Sequence, residues 1–205
     1  MATIAYPTAD LYRPASFEWG EQRIVRVTGG TALGPSEQTI EAPYSHRWRA
    51  IITLRRCRTF AERAGVEAFL STLKSGANRL SLHHMAHPRP YGTLAGSPTV
   101  SGTPAQGATS ATLTVTNGQT ILAGDMLGIT TAAGVQLVRV TAGGTSSGTV
   151  AISFEPALRA AVTNGAAVVW DKPTALFRLT STQWSAQFVP GEAPPMTLEF
   201  VEVTA

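Results

Sequence analysis

The sequence holds little charge: Asp, Glu, Lys and Arg make up 14% of its 205 residues, against roughly a quarter of an average soluble protein. An exterior this poor in charge suits a surface that partner proteins cover. The single cysteine, Cys57, excludes an internal disulfide and most zinc sites. It fits folding in a reducing cytoplasm, with the thiol buried in a strand. No run approaches the ~18–20 apolar residues of a membrane span. The N-terminal MATIAYPTADLYR lacks the basic start and apolar core of a secretion signal. A soluble chain with no membrane partner is the expectation.

Acidic residues are missing altogether between Glu67 and Asp125, which bears on the most tempting site, the histidines at 83, 84 and 87. Zinc catalysis takes three protein ligands and a water, and a carboxylate commonly orients each imidazole. None is near in sequence, and on a strand His83 and His84 point to opposite faces, so a shared metal is not expected. Also missing are a G-x-S-x-G elbow, a Walker glycine loop and a dinucleotide-binding glycine motif. Cys57 stands among Arg55, Arg56 and Arg58, which favour a thiolate, yet a strand interior denies access to it. No catalytic residue, metal or cofactor is expected, and the chain reads as non-enzymatic.

What the sequence has in quantity is turn chemistry, with 19 Gly and 13 Pro, set between short apolar runs. Residues 17–56 read as strands with a hairpin whose turns are Thr28-Gly29-Gly30 and Gly34-Pro35-Ser36. From His46 to Arg56 the pattern alternates. Trp48, Ala50, Ile52 and Leu54 fall on one side, and Arg49, Ile51, Thr53 and Arg55 on a wet or partner-facing other. A helix follows, from about 60 to 75: Thr59 and Glu62 form a capping box, Val66, Phe69, Leu70 and Leu73 form one apolar stripe, and Gly76 stands where a C-cap glycine belongs.

Composition shifts after a further strand, Arg79 to His83. Residues 96–173 hold three basic and three acidic side chains and no His or Cys. Short β-type runs there recur between Asn117-Gly118, Ala123-Gly124-Asp125, Gly143-Gly144 and Asn164-Gly165, which predicts a small antiparallel β-barrel inserted into the chain. Strong strand pattern returns at 174, with runs at Leu176–Thr180, Gln183–Val189 and, after a Gly-Glu-Ala-Pro-Pro turn, Met196–Val203. A final strand this apolar must pair with something, and residues 17–56 are the expected partner. The prediction is a mainly β protein: a β body from residues 1–95 and 174–205 with one packed α-helix, and an inserted small antiparallel barrel at 96–173. Residues 1–16, with Pro7 and Pro14, read as an arm that orders only on a neighbour.

Basic character is concentrated at the front, with 12 Lys and Arg against 7 Asp and Glu in residues 1–95. Arg47, Arg49, Arg55, Arg56 and Arg58, beside Trp48 and Tyr44, are the only basic and aromatic cluster that suits nucleic acid. Alternation splits them between faces, so pairing with acidic groups of an adjacent subunit is the preferred reading. The candidate interface residues are Trp48, Arg49, Arg55, Arg56 and Arg58.

Two stretches resemble known families. The insert, with Ala123-Gly124-Asp125, Gln136–Val140, Val150–Phe154, Pro156-Ala157-Leu158-Arg159 and Gly165–Val169, looks like a module of phage minor tail proteins. The flanks, with Arg47-Trp48-Arg49-Ala50 and the helix bearing Phe69, Leu70, Leu73 and Gly76, are similar to the N-terminal half of siphophage distal tail proteins. That resemblance implies a β-sandwich or split-barrel body with a helix against it, in a structural virion protein, made in the host cytoplasm, whose copies form a commonly hexameric ring at the distal end of the tail. Its implied partners are further copies of itself, the tail tube protein and the hub or baseplate proteins, with DNA only passing through the lumen. The alternative is a carbohydrate-binding or host-surface adhesion module. For stacking on sugars its insert offers only Phe154 and Trp170, one of them expected in the core.

Overall fold

The alternation that starts at His46 becomes the strand Arg47–Leu54, whose burial follows it residue by residue: Trp48, Ala50, Ile52 and Leu54 are buried and Arg49 is exposed. A computed structural model describes residues 1–29, 37–42, 45–181 and 195–203. In chain order the strands are β1 (Thr3–Ala5), β2 (Pro14–Gln22), β3 (Val25–Gly29), β4 (Glu37–Glu41) and β5 (Arg47–Leu54). Helix α1 (Phe60–Leu73) and strand β6 (Arg79–His83) follow. Next come β7 (Thr99–Ser101), β8 (Ser110–Thr114), β9 (Thr120–Ile121), β10 (Met126–Thr131), β11 (Gly134–Ala142), β12 (Gly144–Thr145), β13 (Thr149–Glu155) and β14 (Val168–Val169). Strands β15 (Thr174–Leu179) and β16 (Thr197–Glu202) complete the described chain. The expected turn at Gly34-Pro35-Ser36, Tyr44, the strand at 183–189 and most of the Gly-Glu-Ala-Pro-Pro turn lie outside the described residues.

One six-stranded sheet has the order β1-β6-β15-β16-β5-β2. The apolar last strand lies near its middle, with Leu198 opposite Ile52 and Phe200 opposite Ala50. Helix α1 packs on the inner face through Val66, Phe69, Leu70 and Leu73. It starts where the sequence placed it: Thr59 accepts a hydrogen bond from the Glu62 amide at 3.2 Å. The Glu62 carboxylate reaches one residue further back than expected, to the Arg58 amide at 2.6 Å. The helix ends at Leu73 because Lys74 and Ser75 already turn left-handed, at φ 46° and 51°. Gly76 then sits so close to the end of β15 that a Cβ would stand 2.6 Å from the Leu179 carbonyl oxygen.

Residues 1–16 do not form the expected free arm. Strand β1 lies parallel on β6, and Tyr6 and Tyr12 set their rings edge-on to Phe69 at 6.3 and 5.3 Å. The Tyr12 hydroxyl donates to the Gly65 carbonyl at 3.0 Å. The two prolines suggested coil, but the apolar side chains between them have a place on the protein's own core.

The second six-stranded sheet, β14-β10-β11-β13-β8-β7, encloses a separate core that includes Leu113, Ile129, Val138, Ile152, Phe154 and Leu158. It is not the closed barrel expected of residues 96–173. Its edges meet at the bridge between Thr99 and Ala167, at three backbone bonds, Val100 to Ala166, Gly165 to Val100 and Val168 to Pro98, and where the Gly102 amide donates to Asn164 Oδ1. Strand β14 has two residues, too few for a continuous closing ladder. The two sheets do not stand apart: Met126 and Leu137 of the second pack into the core of the first.

Candidate assembly site

A strand buried on one side presents its alternate residues on the other, and the outer face of the first sheet is built that way. Register aligns Gly20 of β2, Arg49 of β5, Val201 of β16 and Arg178 of β15 in one row. The next row holds Glu18, Ile51 and Glu199. Arg49 and Arg178 are exposed, Ile51 and Leu176 are half-buried, and Val201, flanked by the two arginine stems, is 9% exposed. A Cβ added at Gly20 would meet nothing within 4 Å, so this row is open to solvent. Arg49 Nε donates to Glu199 Oε1 at 2.6 Å. That bond, with the carboxylate charge, raises the guanidinium pKa further. Arg178 has no such partner among the described residues. Among the described residues, the face thus offers an apolar strip, the Arg49–Glu199 ion pair and the cation of Arg178.

Of the expected interface residues, only Arg49 lies here. Arg55 turns to its own chain, with NH2 3.1 Å from Glu62 Oε1 and 3.4 Å from Asp10 Oδ2. Arg58 is exposed and donates its backbone N–H to Glu62. Arg56 is exposed at the start of the helix, near Phe60, whose side chain is 85% exposed. Trp48 requires a correction: it is fully buried and cannot share a face with Arg49, its neighbour on the strand. Cys57 is half-buried in the link after β5 rather than inside a strand, and burial pushes its thiol pKa up, not down.

Trp48 belongs instead to the seam between the two sheets. Its indole N–H donates to the Leu137 carbonyl at 3.1 Å, and the Arg139 guanidinium lies over its ring at 5.0 Å. Glu21 Oε1 holds Arg139 at 3.1 Å. Beside this pair, Arg159 grips Glu202 with two bonds, 2.7 and 2.8 Å, and donates to the His46 carbonyl at 2.8 Å. The ladder between β16 and β5 runs out at Val201 and Arg49, and Glu202 Oε2 takes the next amide, that of Trp48, at 3.1 Å. Buried without a hydrogen-bond partner are His46 Nδ1, His46 Nε2 and Arg159 Nε. Arg139, Arg159 and Glu202 escaped the sequence reading. Only the P-x-L-R stretch gave a signal, and nothing in it names a carboxylate 43 residues away.

The histidines part as their spacing predicts. The His84 ring lies 5.0 Å from Trp19 and 4.9 Å from His87, whereas His83 lines a separate cleft. Among the described residues no three of His, Cys, Asp and Glu come together to hold a metal ion. Burial, followed by the charges of His87 and Arg139, lowers the His84 pKa from 6.5 to about 4. An unfolded chain therefore binds this proton at a pH where the folded one does not. The contribution of His84 to stability is fully present above pH 6.5 and is lost as the pH falls from 6.5 toward about 4. Urea midpoints measured across that window are expected to decline, and His84→Gln is expected to flatten the decline.

Of the two insert aromatics suited to a sugar, Phe154 is buried in the core and Trp170 is half-buried, its indole N–H donated to the Gly96 carbonyl at 2.9 Å. No family model matches the chain, and none of the curated proteins does.

Proposed function

We propose that the protein is a non-enzymatic structural component of a siphophage-type tail, forming a ring at the distal end that joins the tail tube to the hub or baseplate proteins. The observation that carries this reading is the open outer face of the first sheet, where Ile51, Leu176 and Val201 are interleaved with Arg49 and with Arg178, which has no ion-pair partner among the described residues. Arginine is enriched at protein interfaces, and the buried centre of an interface is more apolar than the rest of the surface. A head-to-tail contact between copies, repeated about an axis, closes a ring. The resemblance of the flanks to distal tail proteins and of the insert to minor tail modules supplies the place in the virion. The second sheet, held against the first by the Arg159–Glu202 and Arg139–Glu21 pairs, then projects as a fixed part of each protomer.

Light scattering of the purified chain is expected to give a multiple of 21.6 kDa, with an interface above roughly 2,000 Å² of the kind permanent assemblies bury. The double reversal Arg49→Glu with Arg178→Glu is expected to return the mass to that of a protomer while circular dichroism stays unchanged. A wild-type protomer that stays monomeric and never joins tail particles would overturn the proposal. A ring unaffected by the double reversal would remove this face from it.

A further inference from the structure

The chain that leaves the first sheet after β6 and the chain that returns to it before β15 cross at one point. Lys172 donates its amide to the Pro88 carbonyl at 2.7 Å, and Arg89 pairs with Asp171 at 3.2 Å. Beside this crossing lies a cleft of about 580 Å³, walled on one side by residues 5–10 and 12–14 and on the other by Ser81, His83, Met85, Lys172 and Thr174. That volume lies within the range of small-molecule sites, roughly 300–1,000 Å³, and is more than a bare phosphate needs.

Three nitrogen-bearing side chains line the cleft, those of Arg13, His83 and Lys172, and none has a hydrogen-bonded partner among the described residues. Two acids stand near them and each has a cation of its own: Asp171, whose charge also reaches His83, pairs with Arg89, and Asp10, itself in the cleft wall, pairs with Arg55 at 3.4 Å. Tyr6 and Tyr12 present ring surface only, because the Tyr6 hydroxyl donates to the Tyr12 carbonyl at 2.6 Å and the Tyr12 hydroxyl to Gly65. Lys172 is also one of three non-glycine residues at positive φ among the described residues, at 48°. A conformation so disfavoured, held by the crossing, is the kind of strain that gathers at binding sites.

We propose that this cleft binds the phosphate or carboxylate group of a small polar ligand of about monosaccharide size, with Arg13 and Lys172 as the charged donors and His83 completing the set. The tyrosine and proline rings of residues 6–14 supply the apolar wall that a sugar ring packs on. The site needs only one protomer, so it stands whether or not the chain forms a ring.

Titration of the full chain, followed by amide and side-chain nuclear magnetic resonance, tests it with four probes: glucose 1-phosphate, glucuronate, inorganic phosphate and neutral glucose. The two charged sugars are expected to shift the Arg13, His83 and Lys172 signals, and added salt to weaken them. Inorganic phosphate acting as well as glucose 1-phosphate would assign the site to the free anion. Arg13→Glu with Lys172→Glu is expected to weaken binding by at least roughly tenfold, because hydrogen bonds to ionised groups are the strong ones. The milder His83→Gln is expected to weaken it less and guards against a double variant that folds poorly. Glucose acting as well as glucose 1-phosphate, no shift with any probe, or unchanged binding by the folded double variant would overturn the proposal.

Discussion

Replacing Glu202 by alanine is expected to destabilise the chain by about 3–5 kcal/mol, the usual cost of breaking a buried ion pair from one side. The Glu202 side chain is 3% exposed and that of Arg159 is 16% exposed. Without the carboxylate, the guanidinium keeps only the His46 carbonyl, and the Trp48 amide loses its acceptor. For a chain of this length the thermal midpoint is expected to fall by roughly 6–20 °C. The double variant Arg159→Met with Glu202→Leu is expected to recover most of that loss. It removes both charges, leaving the Trp48 amide and the His46 carbonyl as the groups still unpaired. Hydrogen exchange locates the effect: protection is expected to drop at residues 46–48 and 136–139 before it drops in β8 and β13. A single alanine variant as stable as the parent would show that the pair does not hold the two sheets together.

How much of this was legible in the sequence depends on distance along the chain. Helix α1 was legible because its cap and its stripe are local: Thr59 and Glu62 stand three residues apart, and Val66, Phe69, Leu70 and Leu73 share one face. The outer side of β5 was legible from period two alone. That same period already separated Trp48 from Arg49, so grouping them in one interface went against the pattern. The exposure of Phe60 was legible too, since it lies off the apolar stripe, but an aromatic at a helix start invites being counted as core.

The seam was not legible, because its bonds join residues 43 to 154 positions apart and each member looks ordinary where it stands. Arg139 reads as the wet position of an apolar strand, and Glu202 as a charge near the end of a last strand. Only the fold shows that both face inward across the same gap. Closure of the insert was equally hidden. Whether a curled sheet zips fully depends on the length of its last strand, and Val168-Val169 gives no sign of stopping at two residues. The N-terminal segment misled for a related reason: its prolines act locally, whereas the site that receives Tyr6 and Tyr12 is made by residues 65 and 69.

Trp48→Ala is expected to cost about 3–5 kcal/mol, as for other large aromatic truncations in a packed core. Trp48→Phe separates the contributions. Phenylalanine keeps most of the apolar volume but leaves the Leu137 carbonyl without its donor, a loss of about 1–3 kcal/mol. It also gives Arg139 a weaker ring to lie over. Urea denaturation of the two variants beside the parent measures both terms. A phenylalanine variant close to the parent would make packing the main role of Trp48. One as costly as alanine would make the bond to Leu137 decisive, and with it the exact placement of one sheet on the other. If alanine costs less than about 1 kcal/mol, too little for a large side chain truncated in a packed core, the sheets are only loosely joined. A ring built on the first sheet would then carry the second as a tethered module rather than a fixed projection.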